Sequence, residues 1–424
     1  MEKPSTASNK GASRRPKRVN VRKPDVMERV KAEVEDHYRS KVVDKIREAG
    51  GEIAVGNTTV RLAKQFGFCY GVERAIDLAY AARRVFADNR IFLIGEIIHN
   101  PEVNRQLAEM GIVSLTQEQI QQGELNVGEE DVVIVPAFGA ETSLMAELEA
   151  RGVSVVDTTC GDVMRVWKRV RKYAKAGMTS IIHGKATHEE TRATSSRAMG
   201  VDGAGHYLVV LTLEDVDYVC RYIESGGDRG EFLDRFRGAY SEGFDPDVHL
   251  DRVGVANQTT MLKSETEELQ RRLEVAVARR DGGGVTMKEE GEARFESFDT
   301  ICGATQERQD ALYEMLRAPM DMLLVVGGYN SSNTTHLVEI GQEELPTFFV
   351  RDAGCLKSLD EIVHFDLGER AEKQEGGYSA KLMSDEPVTV GVTAGASCPN
   401  NLIEATIVRI FELRGFTRAD ILSA

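Results

Sequence analysis

Residues 64–80 read KQFGFCYGVERAIDLAY, residues 154–170 read SVVDTTCGDVMRVWKRV, and residues 295–312 read FESFDTICGATQERQDAL. Each stretch passes from a short apolar or β-branched run into a cysteine (Cys69, Cys160, Cys302) and then into a polar, Arg-containing helical pattern. The second and third share the text Asp-Thr-x-Cys-Gly, at 157–161 and 299–303. A strand that ends in Cys and turns into a helix sets the sulfur at a helix N-terminus. There the macrodipole and the free N–H groups favour a thiolate. Three thiolates meeting at one point would hold a metal cluster and leave one position free. Three unrelated buried cysteines are the plainer reading, because free Cys commonly serves as a small core residue.

The chain has 424 residues, enough for two or three lobes and a sizeable core. Hydrophobic residues at 42% and charged residues at 29% are ordinary for a soluble globular protein. No apolar run is long enough to span a bilayer, and none near Met1 has the core of a secretion signal, so no membrane partner is expected. Six cysteines without a CxxC pair fit a reducing compartment. A formal charge of −15 argues against a nucleic-acid partner, so any anionic ligand must be held by local geometry.

Residues 1–23 carry eight Lys or Arg against one acid, with little apolar content. That composition predicts a disordered extension, either a solvated bacterial tail or an organelle transit peptide. Residues 26–48 alternate charged and apolar residues at helical spacing and predict one amphipathic helix capping the main body. From Val60 onward the pattern is strand, turn, helix, repeated. Strands are expected within 91–97, 131–139, 154–160, 179–185, 206–212, 252–258, 321–328, 346–352 and 388–395. Short apolar runs bounded by Gly, Asp or Thr, with helical segments between, indicate buried, mainly parallel sheets in an α/β protein. The repeated cysteine junction adds similar lobes around a common centre. The glycine- and charge-rich segments 226–247 and 281–292 read as surface insertions.

Chemistry collects at the strand ends of open α/β sheets. Those ends supply His99 and Asn100, then His188, Glu189 and Glu190, then Gln258, Thr259 and Thr260, then Asn330, Ser331, Ser332 and Asn333, then Ser397 and Cys398. Hydroxyls and amides at helix N-termini, with their exposed N–H groups, cradle phosphate oxygens. The same residues also serve as ordinary N-caps. No Walker-type lysine follows these loops, which disfavours nucleotide hydrolysis of the P-loop kind. Five such ends on one chain, with two His and a Glu, point to a small phosphorylated ligand.

The body from about Val60 to the C-terminal helix resembles the 4-hydroxy-3-methylbut-2-enyl diphosphate reductase family. The likeness rests on GFCYGVERAI, EIIHNPEVN, DTTCGDV, HGKATHEET, ANQTTM, DTICGATQERQ, VVGGYNSSNT and GVTAGASCPNN, in the family's order. The insertion before ANQTTM and the text GYNSSNTTH match the longer form of cyanobacteria and plant plastids. The resemblance implies three similar α/β lobes in a pseudo-threefold arrangement around a central 4Fe-4S cluster. It implies Cys69, Cys160 and Cys302 as the three cluster ligands, with the fourth iron open to the substrate's hydroxyl; Cys220, Cys355 and Cys398 are then structural. It also implies Glu190 as proton donor with Thr259 beside it, and diphosphate binding by His99, His188, Asn330, Ser331, Ser332, Asn333 and Ser397, with Thr305 nearby. The lobes are expected at about 56–157, 158–298 and 299–424, with the C-terminal tail packing on the first and residues 1–55 forming an extension. The reaction implied is a two-electron, two-proton reductive dehydroxylation, yielding isopentenyl or dimethylallyl diphosphate.

Two departures stand out. The short bacterial form carries a second His where this chain has Phe138, which cannot donate a hydrogen bond; Lys185 or its loop is a candidate substitute. Cys398 follows Ser397, where another small residue is usual, and reads as a packed thiol. The helix after Cys160 carries Arg165, Lys168, Arg169, Arg171, Lys172 and Lys175 on an acidic protein. A solvated face explains such a run, but it also suits docking of an acidic electron donor, ferredoxin or flavodoxin. The expected compartment is the cytoplasm, or the plastid stroma if the N-terminus is a transit peptide. Two other readings are a non-enzymatic iron–sulfur redox sensor that binds a phosphorylated metabolite, and a zinc or purely structural cysteine protein. The sensor needs neither Glu190 nor the Asn-Ser-Ser-Asn loop.

Overall fold

All nine runs expected to be strands form them, and they fall into three separate sheets. The computed structural model describes residues 17–123, 125–282 and 293–424. The first sheet has the order Lys17–Arg18, Ser154–Asp157, Val132–Val135, Ile91–Ile94, Ile112–Leu115, all parallel. The second runs Phe295–Ser297, Val253–Asn257, Thr179–His183, Tyr207–Val210, also all parallel. The third runs Thr347–Val350, Met322–Val326, Val388–Ala394, Thr58–Leu62, Glu52–Val55, and only its last strand is antiparallel. Val132–Val135, Thr179–His183, Val253–Asn257 and Met322–Val326 are buried at every residue, as expected of strands covered on both faces.

The three cysteine junctions are the places where the chain leaves one sheet for the next. Thr58–Leu62 lies in the third sheet, but the helix after Cys69, Tyr70–Val85, packs into the core over the first. Ser154–Asp157 lies in the first sheet, and the helix after Cys160, Gly161–Lys175, buries Tyr173 against the second, its hydroxyl donating to Val255 O at 3.0 Å. Phe295–Ser297 edges the second sheet, and the helix after Cys302, Gly303–Leu316, packs into the core over the third. The first lobe was expected to begin at 56, yet Glu52–Val55 and Thr58–Leu62 are hydrogen-bonded into the third sheet. Parallel pairing with Val388–Ala394, far along the chain, decides this, and such a partner is invisible to local sequence.

The N-terminal region departs from expectation in two respects. Residues 1–16 lie outside the described residues, but Lys17–Arg18, expected to be disordered, adds a short strand beside Ser154–Asp157. The segment 26–48 forms two helices rather than one, Pro24–Tyr38 and Lys41–Glu48. Ser40 separates them: it is extended, and its Oγ caps the second helix at Val43 N, 2.9 Å away. The break lets the two helices cover different lobes. Val30 and Tyr38 join the core of the first, while Val42, Val43 and Ile46 join the core of the third. The helix Asn400–Leu413 and the last helix, Arg418–Ser423, pack into that third core rather than onto the first sheet, and Glu404 accepts from Ser40 Oγ at 2.5 Å.

Segment 226–247 is not a surface insertion. Its helix Arg229–Arg235 and the following turn bury Phe232, Phe236 and Phe244 with Leu208, Val216 and Val255. The glycines and charges that read as a loop are the exposed face of a cover over the second sheet. Of segment 281–292, residues 283–292 lie outside the described residues. Among the described residues no helix is long and apolar enough to cross a membrane. Phe232→Ala is expected to lower stability by about 3–5 kcal/mol in a denaturant titration, as for a buried aromatic. A surface loop would change by less than about 0.5 kcal/mol.

Candidate active site

Each cysteine occupies the N-cap of its helix in extended conformation. Its own N–H donates to the loop that follows the neighbouring strand of the sheet it is leaving. Cys69 N donates to Ala396 O at 3.2 Å, Cys160 N to Ala137 O at 2.9 Å, and Cys302 N to Thr259 O at 3.1 Å. Each acceptor lies two residues beyond its strand: Val388–Ala394, Val132–Val135 or Val253–Asn257. The three junctions are therefore equivalent in hydrogen bonding, and all three cysteines line one cavity of about 620 Å³.

Gly71 shows how close two of the sulfurs come. A Cβ at that position would lie 2.7 Å from Cys160 Sγ and 3.8 Å from Cys69 Sγ, so the absent side chain leaves their shared space open. Cys302 Sγ accepts from Thr305 N at 3.3 Å and lies 3.0 Å from Thr305 Oγ1. All six cysteines are free thiols. Burial pushes the Cys302 thiol up to about 12 and raises that of Cys160 as well, so desolvation outweighs the helix N-terminus. A bound cation is what turns such thiols into thiolates. Cys355 and Cys398 are buried in the core of the third lobe, with Cys398 fully inaccessible, and Cys220 packs against the core of the second.

Glu190 is 2% exposed, at the start of the helix Glu189–Ala198. Its Oε1 accepts from Thr259 N at 2.6 Å and its Oε2 from Thr259 Oγ1 at 2.9 Å. Burial pushes its carboxyl up to about 7, opposed by the two Thr259 bonds and by His99. The carboxyl therefore holds its proton below neutrality and loses it above. His188 caps the same helix, its Nδ1 accepting from Glu190 N at 3.1 Å. Burial holds His188 well below the usual histidine range, so the ring is neutral and its one proton sits on Nε2. That Nε2 faces His99 Nε2 at 3.2 Å, and His99 Nδ1 meets Glu96 Oε2 at 2.9 Å. Two imidazole edges thus converge on one point of the cavity wall.

Beside them, reached through Asn330, is the N-terminus of the helix Ser332–Gln342, capped by Ser331. Ser332 Oγ accepts from Gln258 Nε2 at 2.9 Å, Asn333 Oδ1 from Ala396 N at 2.8 Å, and Ser397 Oγ donates to His99 O at 3.1 Å. Asn333 Nδ2 donates to Thr305 Oγ1 at 3.4 Å. Cys69, Cys160, Cys302, His99, His188, Glu190, Thr259, Thr305, Ser331, Ser332, Asn333 and Ser397 all line the cavity. Asn330 does not; it is exposed on the rim and donates to Glu96 Oε2 at 2.9 Å. Lys185 is exposed as well and leaves the wall, so it does not replace the missing His. Phe138 instead stacks on His99 with centroids 4.2 Å apart at 22°, fixing the ring that it cannot supplement as a donor. Gln258 passed unassigned in the sequence, yet it bridges lobes: its Oε1 accepts from Thr191 Oγ1 at 3.1 Å while its Nε2 reaches Ser332. Its place among the strand-end amides was the available signal.

With three cysteines, a buried acid and an anion cradle on one cavity, the comparisons with known proteins can be placed. A family model described as LytB protein matches residues 60–411. The chain belongs to the LytB protein family. It is 48% identical over 395 residues to the 4-hydroxy-3-methylbut-2-enyl diphosphate reductase of Gloeobacter violaceus, covering 91% of each chain. It is 45% identical to the enzyme of the same name from a Cyanothece species, covering 90% of this chain and 91% of that one. A solved structure of (E)-4-hydroxy-3-methyl-but-2-enyl diphosphate reductase, the terminal enzyme of the non-mevalonate pathway, aligns with a TM-score of 0.50 and 26% identity. That alignment covers 83% of this chain and 99% of the other. The Plasmodium falciparum E-1-hydroxy-2-methyl-but-2-enyl-4-diphosphate reductase shares the fold, with a TM-score of 0.58, 20% identity, and coverage of 82% and 86%. The resemblance read from the motifs and the mixed α/β fold with parallel sheets are both borne out.

Thr259→Ala removes a donor that stabilises ionised Glu190, so the carboxyl is expected to titrate above its present value of about 7. Infrared difference spectra of the protonated carboxyl band, with Glu190→Gln as reference, measure the shift.

Proposed function

We propose that this chain reduces (E)-4-hydroxy-3-methylbut-2-enyl diphosphate to isopentenyl and dimethylallyl diphosphate, the last step of the non-mevalonate isoprenoid pathway. One observation carries the reading: a buried carboxyl, an anion cradle and three cysteines converge on one cavity of about 620 Å³. The activity in the names of the cyanobacterial relatives supports it. The cavity belongs to three lobes, divided near residues 157 and 298, and the N-terminal helices pack on the cores of the first and third.

Cys69, Cys160 and Cys302 are the residues that would hold a 4Fe-4S cluster. Three soft sulfur donors on one cavity, two of them beside the space kept open by Gly71, suit such a group. When bound, such a cluster would supply electrons and a Lewis-acidic iron. The protein's part is binding and proton delivery. His188 Nε2–H, His99, Ser331, Ser332, Asn333 and Ser397 take the diphosphate, and the N–H groups at the start of Ser332–Gln342 add their dipole. This fixes the hydroxyl end toward the cysteines. The net change takes two electrons and two protons: the C–O bond breaks, the oxygen leaves as water, and a new C–H bond forms. Glu190 holds a proton near neutral pH and supplies it as that oxygen leaves, with the Thr259 hydroxyl joining Glu190 to the cavity. Six free thiols suit a reducing cytoplasm.

Anaerobically reconstituted protein is expected to turn over the diphosphate substrate, and Glu190→Gln to lose about 10²–10⁴-fold in kcat with its iron and sulfide unchanged. A redox sensor would hold the cluster and show no turnover in either form.

The electrons come from a small acidic carrier of the ferredoxin or flavodoxin class, docking on the helix Gly161–Lys175. That surface is narrower than the basic text implies. Arg165 pairs with Asp162 at 2.9 Å, Lys172 with Glu296 at 2.7 Å, and the Arg169 guanidinium lies 3.3 Å over the Phe298 ring. Lys168, Arg171 and Lys175 remain exposed and form no ion pair among the described residues. Nearby, Tyr70 is 78% exposed beside Cys69. Charge reversal at Lys168 and Arg171 is expected to slow turnover with the protein donor and leave the rate with a small chemical reductant unchanged. Equal rates with the protein donor before and after reversal would remove this docking face.

A further inference from the structure

Arg308 is a charged residue in the cavity wall to which neither the sequence reading nor the diphosphate cradle gives a role. It lies six residues after Cys302, on the helix Gly303–Leu316, and is 3% exposed. Among the described residues its guanidinium donates only to main-chain carbonyls. Nε and Nη2 reach Gly67 O at 3.2 and 2.6 Å, and Nη1 reaches Ala304 O at 2.8 Å. Gly67 is the turn residue two places before Cys69, with φ +75°, and Ala304 lies two places after Cys302. One side chain therefore ties the loop of one cysteine to the helix of another.

Its charge balance is unusual. Among the described residues Arg308 makes no ion pair, although a buried guanidinium without a compensating anion is strongly unfavourable. Arginine does not escape by losing its proton. The groups whose charge acts most strongly on it are the sulfurs of Cys69 and Cys302, followed by Glu307 and Glu73. A carbonyl dipole partly solvates a cation, but it does not neutralise one. What neutralises this one is the negative charge that the cysteines carry once they are thiolates.

We propose that Arg308 is the fixed counter-charge of the cysteine site, a positioning residue that clamps the Cys69 loop to the Cys302 helix and favours the reduced state of the group bound there. The inference rests on the cluster reading of the three cysteines. A cluster on thiolates becomes more negative on reduction, and a buried cation in the wall of the same cavity stabilises the more negative state. The same charge favours the loaded site, so removing it weakens the stabilisation that loading brings.

The test compares reconstituted wild type, Arg308→Gln and Arg308→Lys by iron and sulfide content, by redox titration followed by electron paramagnetic resonance, and by the rise in Tm on loading. Arg308→Gln is expected to make one-electron reduction at least about tenfold less favourable, a shift of about 59 mV to more negative potential. It should also show a smaller rise in Tm on loading than wild type. Arg308→Lys keeps the charge and is expected to keep the wild-type potential. A wild-type potential in Arg308→Gln with full iron content overturns the proposal. So does a shift in Arg308→Lys as large as that in Arg308→Gln, because it would mean anchoring rather than charge. Should Arg308→Gln hold too little iron to titrate, the potential of Arg308→Lys decides alone. Failure of the wild type to take up iron and sulfide would instead remove the cluster reading, a separate result.

Discussion

One hydrogen bond, made three times, sets the geometry on which everything else depends. The N–H of each N-cap cysteine is held by a carbonyl from the loop after the adjacent strand: Ala396, Ala137 or Thr259. The bond fixes where the chain leaves one sheet, and the helix that follows must then pack on the next. Repeating that step around the molecule brings three strand ends, three helix N-termini and three sulfurs to the same place. Parallel sheets make this possible, since all their strands present the same end to the crevice.

The site shows how a desolvated centre assigns different work to similar groups. Glu190, Glu189 and Glu96 lie within a few residues of the two cavity histidines, but Glu190 alone of the three is buried, and its carboxyl is pushed into the neutral range. His188 is held neutral by the same desolvation, which makes it a directed N–H donor rather than a diffuse charge. Buried thiols are raised for the same reason. An interior that resists charge on its own becomes selective for a ligand and a metal group whose charges offset one another.

The lobes are linked through side chains as much as through chain crossings. Gln258 joins the helix after His188 to Ser332 across two lobes; within the third lobe, Asn333 joins the Cys302 helix to the loop at Ala396, and Arg308 joins the Cys302 helix to the turn before Cys69. The N-terminal pair of helices, broken at Ser40, closes the outside of two lobes, and the helix Asn400–Leu413 locks to it through Glu404. Cores on opposite sides of the cavity are in this way tied to the residues that line it.

Local text determined a great deal. Apolar runs bounded by turn residues specified nine strands, because a strand buried on both faces must be apolar throughout. The cysteine junctions specified their helices, and residues at strand ends specified most of the cavity wall, because parallel sheets expose those ends together. What the text lacked were partners distant in sequence. The assignment of Thr58–Leu62 to the third sheet depends on pairing with Val388–Ala394, and the burial of Phe232, Phe236 and Phe244 on a core built from other segments. Asn330 read like its neighbours but faces outward, since the turn before Ser331 directs only the capped residues inward. Arg308 read as one more helical charge. Only the tertiary structure, by burying it between two cysteine-bearing segments with no ion pair among the described residues, gave that charge a meaning.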